Sequence, residues 1–230
     1  MMPVEEADTD GATTCLISGG CDQQGRIPFQ PHLPALKRLC QGKRTNWHVG
    51  LIKETDLVPL VSLIDVVSFD FVSDGATIHE VYGLDRDPHD YVKTYQMLRR
   101  HVSVVPHITI GLKGGVIGPE YEALTLLKEL GVDEALVFII LIPTRGTTFA
   151  DVEPPPPAQV ADLLAHARIL FPDLALHLGC MRPHGAYRDQ VDQLAVQTGI
   201  NKIVNPASSA RKLAQEMGLR VLWKEACCVF

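Results

Sequence analysis

The 230-residue sequence has no apolar run approaching the length of a membrane span. Its N-terminus, MMPVEEADTDGATT, is acidic and lacks the apolar segment that directs secretion. These two absences predict a cytoplasmic protein. Basic charge is also short: 21 Lys and Arg stand against 27 Asp and Glu, a formal net charge of -6. A broad phosphate-binding surface is therefore not expected, because nucleic-acid affinity rests mainly on Lys and Arg neutralising phosphates. Small molecules and proteins are the expected partners, with no nucleic acid and no membrane. Without a secretion signal, the six cysteines read as thiols for core, metal or chemistry rather than as disulfides.

What the sequence does contain is a rhythm. Short β-rich runs alternate with amphipathic patterns, the signature of repeated βα units around a parallel sheet. Strands are expected over 14–18, 47–52, 66–72, 102–111, 135–142, 175–179 and 202–205. They read as apolar throughout, as when both faces of a sheet are covered. Ala123, Leu126, Leu127 and Leu130 form one helical stripe, and Val160, Leu163, Leu164 and Ala167 another. Gly131 and Gly199 stand where helices should stop, and Pro154 to Pro157 form a rigid lead-in to the second of those helices. At 46% hydrophobic the chain can bury one core, with residues 1–13 a disordered acidic leader and 14–230 a single α/β domain. Seven strands suggest a (βα) TIM-type barrel that is incomplete, short of one member. Ligands of such barrels bind at the C-terminal ends of the strands. The loops there read SGGCD, GLIKE, SFDFVSD, GLKGG, PTRGT, GCMRPHG and NPAS.

Taken together, SGGC, SFDFV, PHITIGL, IPTRGT, LGCMRP and the terminal CC resemble the radical S-adenosylmethionine enzymes, in a biotin-synthase-like and lipoyl-synthase-like branch. The resemblance runs from Cys15 to the C-terminus and implies that the strand at Thr14 is the second of the barrel, which is then incomplete, lacking the first βα unit. It implies S-adenosylmethionine as cofactor, with its amino group at Ser18, Gly19 and Gly20, its ribose at Ser68 and Asp70, and its adenine near Thr144, Gly146 and Thr147. Arg182 could clamp a carboxylate through its fixed fork of donors. Tyr91 and Lys93 are alternatives for gripping the cofactor's own carboxylate. The family's CxxxCxxC loop, whose three thiolates hold a [4Fe-4S] cluster with one iron open, is missing from this sequence. Radical generation is therefore expected only if a CxxxCxxC-bearing partner, or a further segment of a longer chain, completes the barrel. That assembly would insert sulfur or otherwise modify a C–H bond. The alternatives are an inert S-adenosylmethionine-binding or accessory subunit of an intact paralogue, and a zinc or thiol protein.

Cys21, Cys180, Cys227 and Cys228 lie on three separated segments that could converge at the top of a barrel. Soft thiolates select iron–sulfur clusters or zinc, so an auxiliary iron–sulfur cluster is one expectation there. Partly buried thiols and a frayed tail are the other. Cys15 and Cys40 read as core, and His48, His107 and His177 as interior histidines or proton carriers. Glu120 and Glu122 open a helix, where the dipole alone favours them. The strand beginning at Thr14 is expected to expose an unpaired apolar edge that invites a protein partner.

Overall fold

The structure, a computed structural model, describes residues 11–230; the leader expected over 1–13 lies mostly outside them. Seven strands, β1 (Thr14–Ile17), β2 (Arg44–His48), β3 (Val66–Asp70), β4 (Val104–Ile110), β5 (Ala135–Ile140), β6 (Ala175–Leu178) and β7 (Lys202–Ile203), pair in sequence order. Every pairing is parallel, and β1 and β7 end the sheet without meeting. The helices are α1 (Leu33–Cys40), α2 (Glu54–Leu57), α3 (Gly75–Glu80), α4 (Pro88–Arg99), α5 (Pro119–Leu130), α6 (Pro157–Leu170), α7 (Ala186–Gln197) and α8 (Ser208–Glu216). This is an incomplete TIM-type α/β barrel. Among the described residues, no helix is long and apolar enough to cross a membrane.

Local signals set the boundaries. Helix α4 starts on a reciprocal cap: the Asp87 carboxylate accepts from the backbone of His89 and Asp90, the Asp90 carboxylate accepts from the Asp87 N–H, and Pro88 opens the first turn. Helix α5 runs up to Gly131 and α7 to just before Gly199, both glycines at positive φ. Glu120 does more than face a dipole, since its buried carboxylate accepts from the N–H groups of Gly111 and Gly118 and fastens the loop after β4. Strand β2 is displaced from the expected 47–52. Its first half is polar, but Thr45 binds Asp65 and the Leu63 carbonyl while Asn46 accepts from Ser68. Polar residues whose groups are satisfied can be buried in a strand.

The strands alternate rather than reading as apolar throughout. Trp47, Val67, Phe69, Ile108, Ile110, Leu136, Phe138, Ile140, Leu176 and Leu178 join the helices in one core. Their neighbours in sequence point to the opposite, concave face. There the register aligns Asp70 with His107, His107 with Val137, Val137 with His177, and His177 with Lys202. Along this row the concave face carries polar groups around Val137, whereas Val66, Val105 and Ala135 below it are aliphatic.

The C-terminal segment covers the lower part of that face. Val229 packs on Val66, Val105, Ala135 and Val137, at the N-terminal ends of their strands. The Arg44 guanidinium lies 4.0 Å from the Phe230 ring centroid. Lys202 Nζ donates to the carbonyls of Cys227 and Phe230, and the His177 ring meets the Cys228 carbonyl at 2.6 Å. The segment is therefore seated, not frayed. Above it, burial pushes the His107 imidazole down to about 4, against the opposing pull of Asp70. His107 is accordingly neutral, with Nδ1 3.0 Å from the Val105 carbonyl.

Arg182, expected at the ligand site, is fully buried and pairs with Asp192 through two contacts of 2.6 and 2.9 Å. It also donates to the carbonyls of Gly179, Val204 and Asn205, tying the ends of β6 and β7 to α7. No donor face is left to clamp a ligand carboxylate.

Two measurements test this description. Removing one member of a buried ion pair leaves an uncompensated charge. Arg182→Met is expected to lower stability in urea unfolding by about 3 to 5 kcal/mol, and Arg182→Met combined with Asp192→Leu by clearly less than the two single changes added. His107 has a folded pKa of about 4 against an ordinary value of 6.5, so between those values the unfolded chain holds a proton that the folded chain does not. Stability is expected to fall by on the order of 3 kcal/mol as pH drops from about 6.5 to 4. His107→Gln should flatten that slope.

Candidate functional site

A cavity of about 210 Å³ opens at the C-terminal ends of β1, β2 and β3. Its walls come from Ser18, Gly19, Cys21 and Asp22 after β1, His48, Gly50 and Leu51 at and after β2, Ser68, Phe69 and Asp70 on β3, and Tyr82, Leu84 and Tyr91 from the α3–α4 region. Close backbone approach shapes the rim. A Cβ on Gly19 would meet Ile27 at 2.9 Å, and one on Gly50, which sits at φ +60°, would meet the Gly25 carbonyl at 2.2 Å. The Asp22 carboxylate accepts from the backbone of Gln24 and Arg26, folding the loop that carries Gly25 down against Gly50.

Asp70 is the strand-borne carboxylate of the site. Burial works against its ionisation, but the imidazole of His48 beside it outweighs that, and the carboxyl is held below its usual range. His48 Nδ1 stands 3.7 Å from the Asp70 carboxylate, and the His48 and His107 rings are 5.8 Å apart. Burial, assisted by the Asp70 charge, pushes the phenols of Tyr82 and Tyr91 up, so both keep their protons and offer O–H donors. Ser68 donates to Asn46 at 2.7 Å, leaving its oxygen free to accept. The cavity therefore offers the carboxylates of Asp22 and Asp70, phenolic donors and a hydroxyl acceptor, with Ile27, Leu51 and Leu84 as apolar wall.

The expected cofactor residues divide. Ser18, Gly19, Ser68 and Asp70 line this one cavity, while Gly20 lies in the same loop beside open space. Thr144, Gly146 and Thr147 are exposed on the loop after β5, where Thr144 donates to the Ile142 carbonyl and Thr147 to the Thr144 carbonyl. They form a turn of their own and are not among the lining residues. Of the two alternatives on α4, Tyr91 faces the cavity and Lys93 is exposed.

The expected metal ligands do not gather. Cys21 and Cys180 are exposed on separate rim loops, and Cys227 and Cys228 sit in the concave face. Burial and the charges of Asp22 and Asp70 push the Cys21 thiol up, opposing the thiolate that a metal needs. Among the described residues, no group of three or more His, Cys, Asp or Glu is arranged to hold a metal ion. Cys40 is buried core, its thiol pushed up to about 11 by burial. Tyr82 and the pairing of His48 with Asp70 leave no signature in the loops that follow the strands. Tyr82 lies a helix beyond such a loop, and His48 reads from sequence as an isolated histidine.

No protein-family model matches the sequence, and no curated protein is similar to it at the sequence level. Similarity appears in three dimensions. The solved structure of methylornithine synthase (PylB) superimposes with a TM-score of 0.66 over 93% of this chain and 70% of that one, at 13% sequence identity. At that identity the likeness establishes the shared barrel fold.

Proposed function

We propose that this chain is a radical S-adenosylmethionine-type barrel that binds S-adenosylmethionine or a closely related adenosyl compound in the cavity above Asp70. The observation that carries the reading is the convergence of Ser18, Gly19, Ser68 and ionised Asp70, from loops and strands distant in sequence, on one cavity. The strand-end position and the fold shared with methylornithine synthase support it.

Each group then has a task. Asp70 accepts from the ribose hydroxyls, and His48 keeps that carboxylate ionised and aimed. Tyr91 donates to the carboxylate of the methionine moiety, and Gly19, with no side chain, lets the amino group reach backbone carbonyls. Leu51, Leu84 and Ile27 exclude water from one flank. The bound cofactor would supply, on reductive cleavage, a carbon radical able to take hydrogen from an unactivated C–H bond. The residues present do not fit a cluster that performs the reduction, since all six cysteines are placed and no three converge. We assign that part to a cluster-bearing protein partner, and to the completed assembly a C–H modification such as sulfur insertion. The edge of β1, which pairs with no further strand among the described residues and leaves Leu16 59% exposed, is the surface we assign to that partner.

Calorimetric titration of the chain with S-adenosylmethionine tests the binding reading. Saturable one-to-one binding is expected. Asp70→Asn should weaken it about tenfold to a hundredfold, as for losing hydrogen bonds to a charged group, and Thr147→Ala should change it little. Because the Asp70 carboxyl is held below its ordinary value of 3.8, affinity should not fall through Asp70 protonation between pH 8 and 5. Binding that survives Asp70→Asn unchanged would sink the assignment.

A further inference from the structure

Cys227 and Cys228 are used neither by the cavity nor by any metal group, yet their surroundings are those of reactive thiols. The Cys227 sulfur receives the Asn46 amide at 3.9 Å, with the adjoining Cys228 thiol and the Lys202 side chain as neighbours. Of these, the Cys228 thiol contributes most. The N–H groups of Val229 and Phe230 and the Lys202 charge add to it, and together they overcome burial and bring Cys227 down to about 6. Cys228 is driven the other way by the adjoining Cys227 and by burial. Its sulfur also lies 3.6 Å from His107 Nε2. That nitrogen is an acceptor, because the other ring nitrogen carries its proton toward the Val105 carbonyl. Both cysteines keep partial exposure.

We propose that Cys227 and Cys228 form a redox-active dithiol that exchanges with small aliphatic disulfides of the glutathione class, Cys227 attacking and Cys228 resolving. In the first step the Cys227 thiolate attacks one sulfur of the small disulfide. A Cys227–S–S–R bond forms, the original S–S bond breaks, and one thiolate RS⁻ leaves. Cys227 now no longer draws the Cys228 proton, and that S–H turns to His107 Nε2. In the second step the Cys228 sulfur attacks Cys227, and R–S leaves with the proton that Cys228 gives up. The dithiol is oxidised by two electrons and the small disulfide is reduced to two thiols. Adjacent Cα atoms are about 3.8 Å apart, shorter than the usual 4.4–6.8 Å span of a disulfide. The ring is therefore strained and readily reduced, as suits a reversible site. Oxidation removes the thiolate beside Lys202, one of the charges that seats this segment.

The full-length chain is incubated with oxidised glutathione at pH 7, quenched with acid, and read by mass at the tryptic peptide 225–230. Loss of two hydrogens is expected in wild type, reversed by dithiothreitol. Cys228→Ser should stop with one glutathione on Cys227, and Cys227→Ser should react at least about tenfold more slowly. Lys202→Met should slow the wild-type reaction several-fold at pH 7 and much less at pH 9. A wild-type peptide 225–230 that stays reduced while Cys21 or Cys180 is modified would overturn the proposal, as would glutathione attached first to Cys228. Neither result bears on nucleotide binding, which is measured separately.

Discussion

An open parallel sheet must do something with its concave face, and the rest of this molecule follows from how that requirement is met. Period-two alternation sends Trp47, Phe69, Phe138 and Leu176 outward to the helices and leaves Asn46, His48, Ser68, Asp70, His107, His177 and Lys202 to line the hollow. Unpaired polar groups there would be costly to bury. Two solutions coexist along the strands. Toward the C-terminal ends the hollow stays open as the cavity over Asp70, and toward the N-terminal ends residues 227–230 occupy it.

A short chain of contacts joins the two halves. Ser68, on the cavity wall, donates to Asn46, whose amide reaches the Cys227 sulfur. Asp70 is paired in register with His107, whose other face meets Cys228. A neutral imidazole suits that position, since a charged one would have to be stabilised within a fully buried strand. The carboxylate above and the thiols below thus share neighbours without touching.

The sequence made the barrel legible because its evidence is local: glycine stops after α5 and α7, a proline lead-in to α6, and apolar runs at the strands. It made half of the cavity legible for a similar reason, since Ser18, Gly19, Ser68 and Asp70 lie in or beside the loops where a parallel barrel binds its ligands. The displacement of β2 was hidden because Thr45 and Asn46 look like loop residues until Asp65 and Ser68 satisfy them. Arg182 misled for a related reason: a guanidinium in a strand-end loop has the chemistry of a clamp, and only the tertiary partner Asp192 shows it to be a brace. The seat of Cys227 and Cys228 depends on contacts with Asn46 and His107, 181 and 121 positions away. No local pattern encodes such pairs.

That separation orders events during synthesis. Every strand pairs with its successor, so the sheet can assemble unit by unit as the chain emerges, whereas residues 227–230 leave the ribosome after all the strands they touch. Until then the aliphatic patch of Val66, Val105, Ala135 and Val137 that Val229 covers stays exposed to water, beside histidines, an amide and an ammonium that tolerate it. The seating of residues 227–230 is what takes that patch out of water.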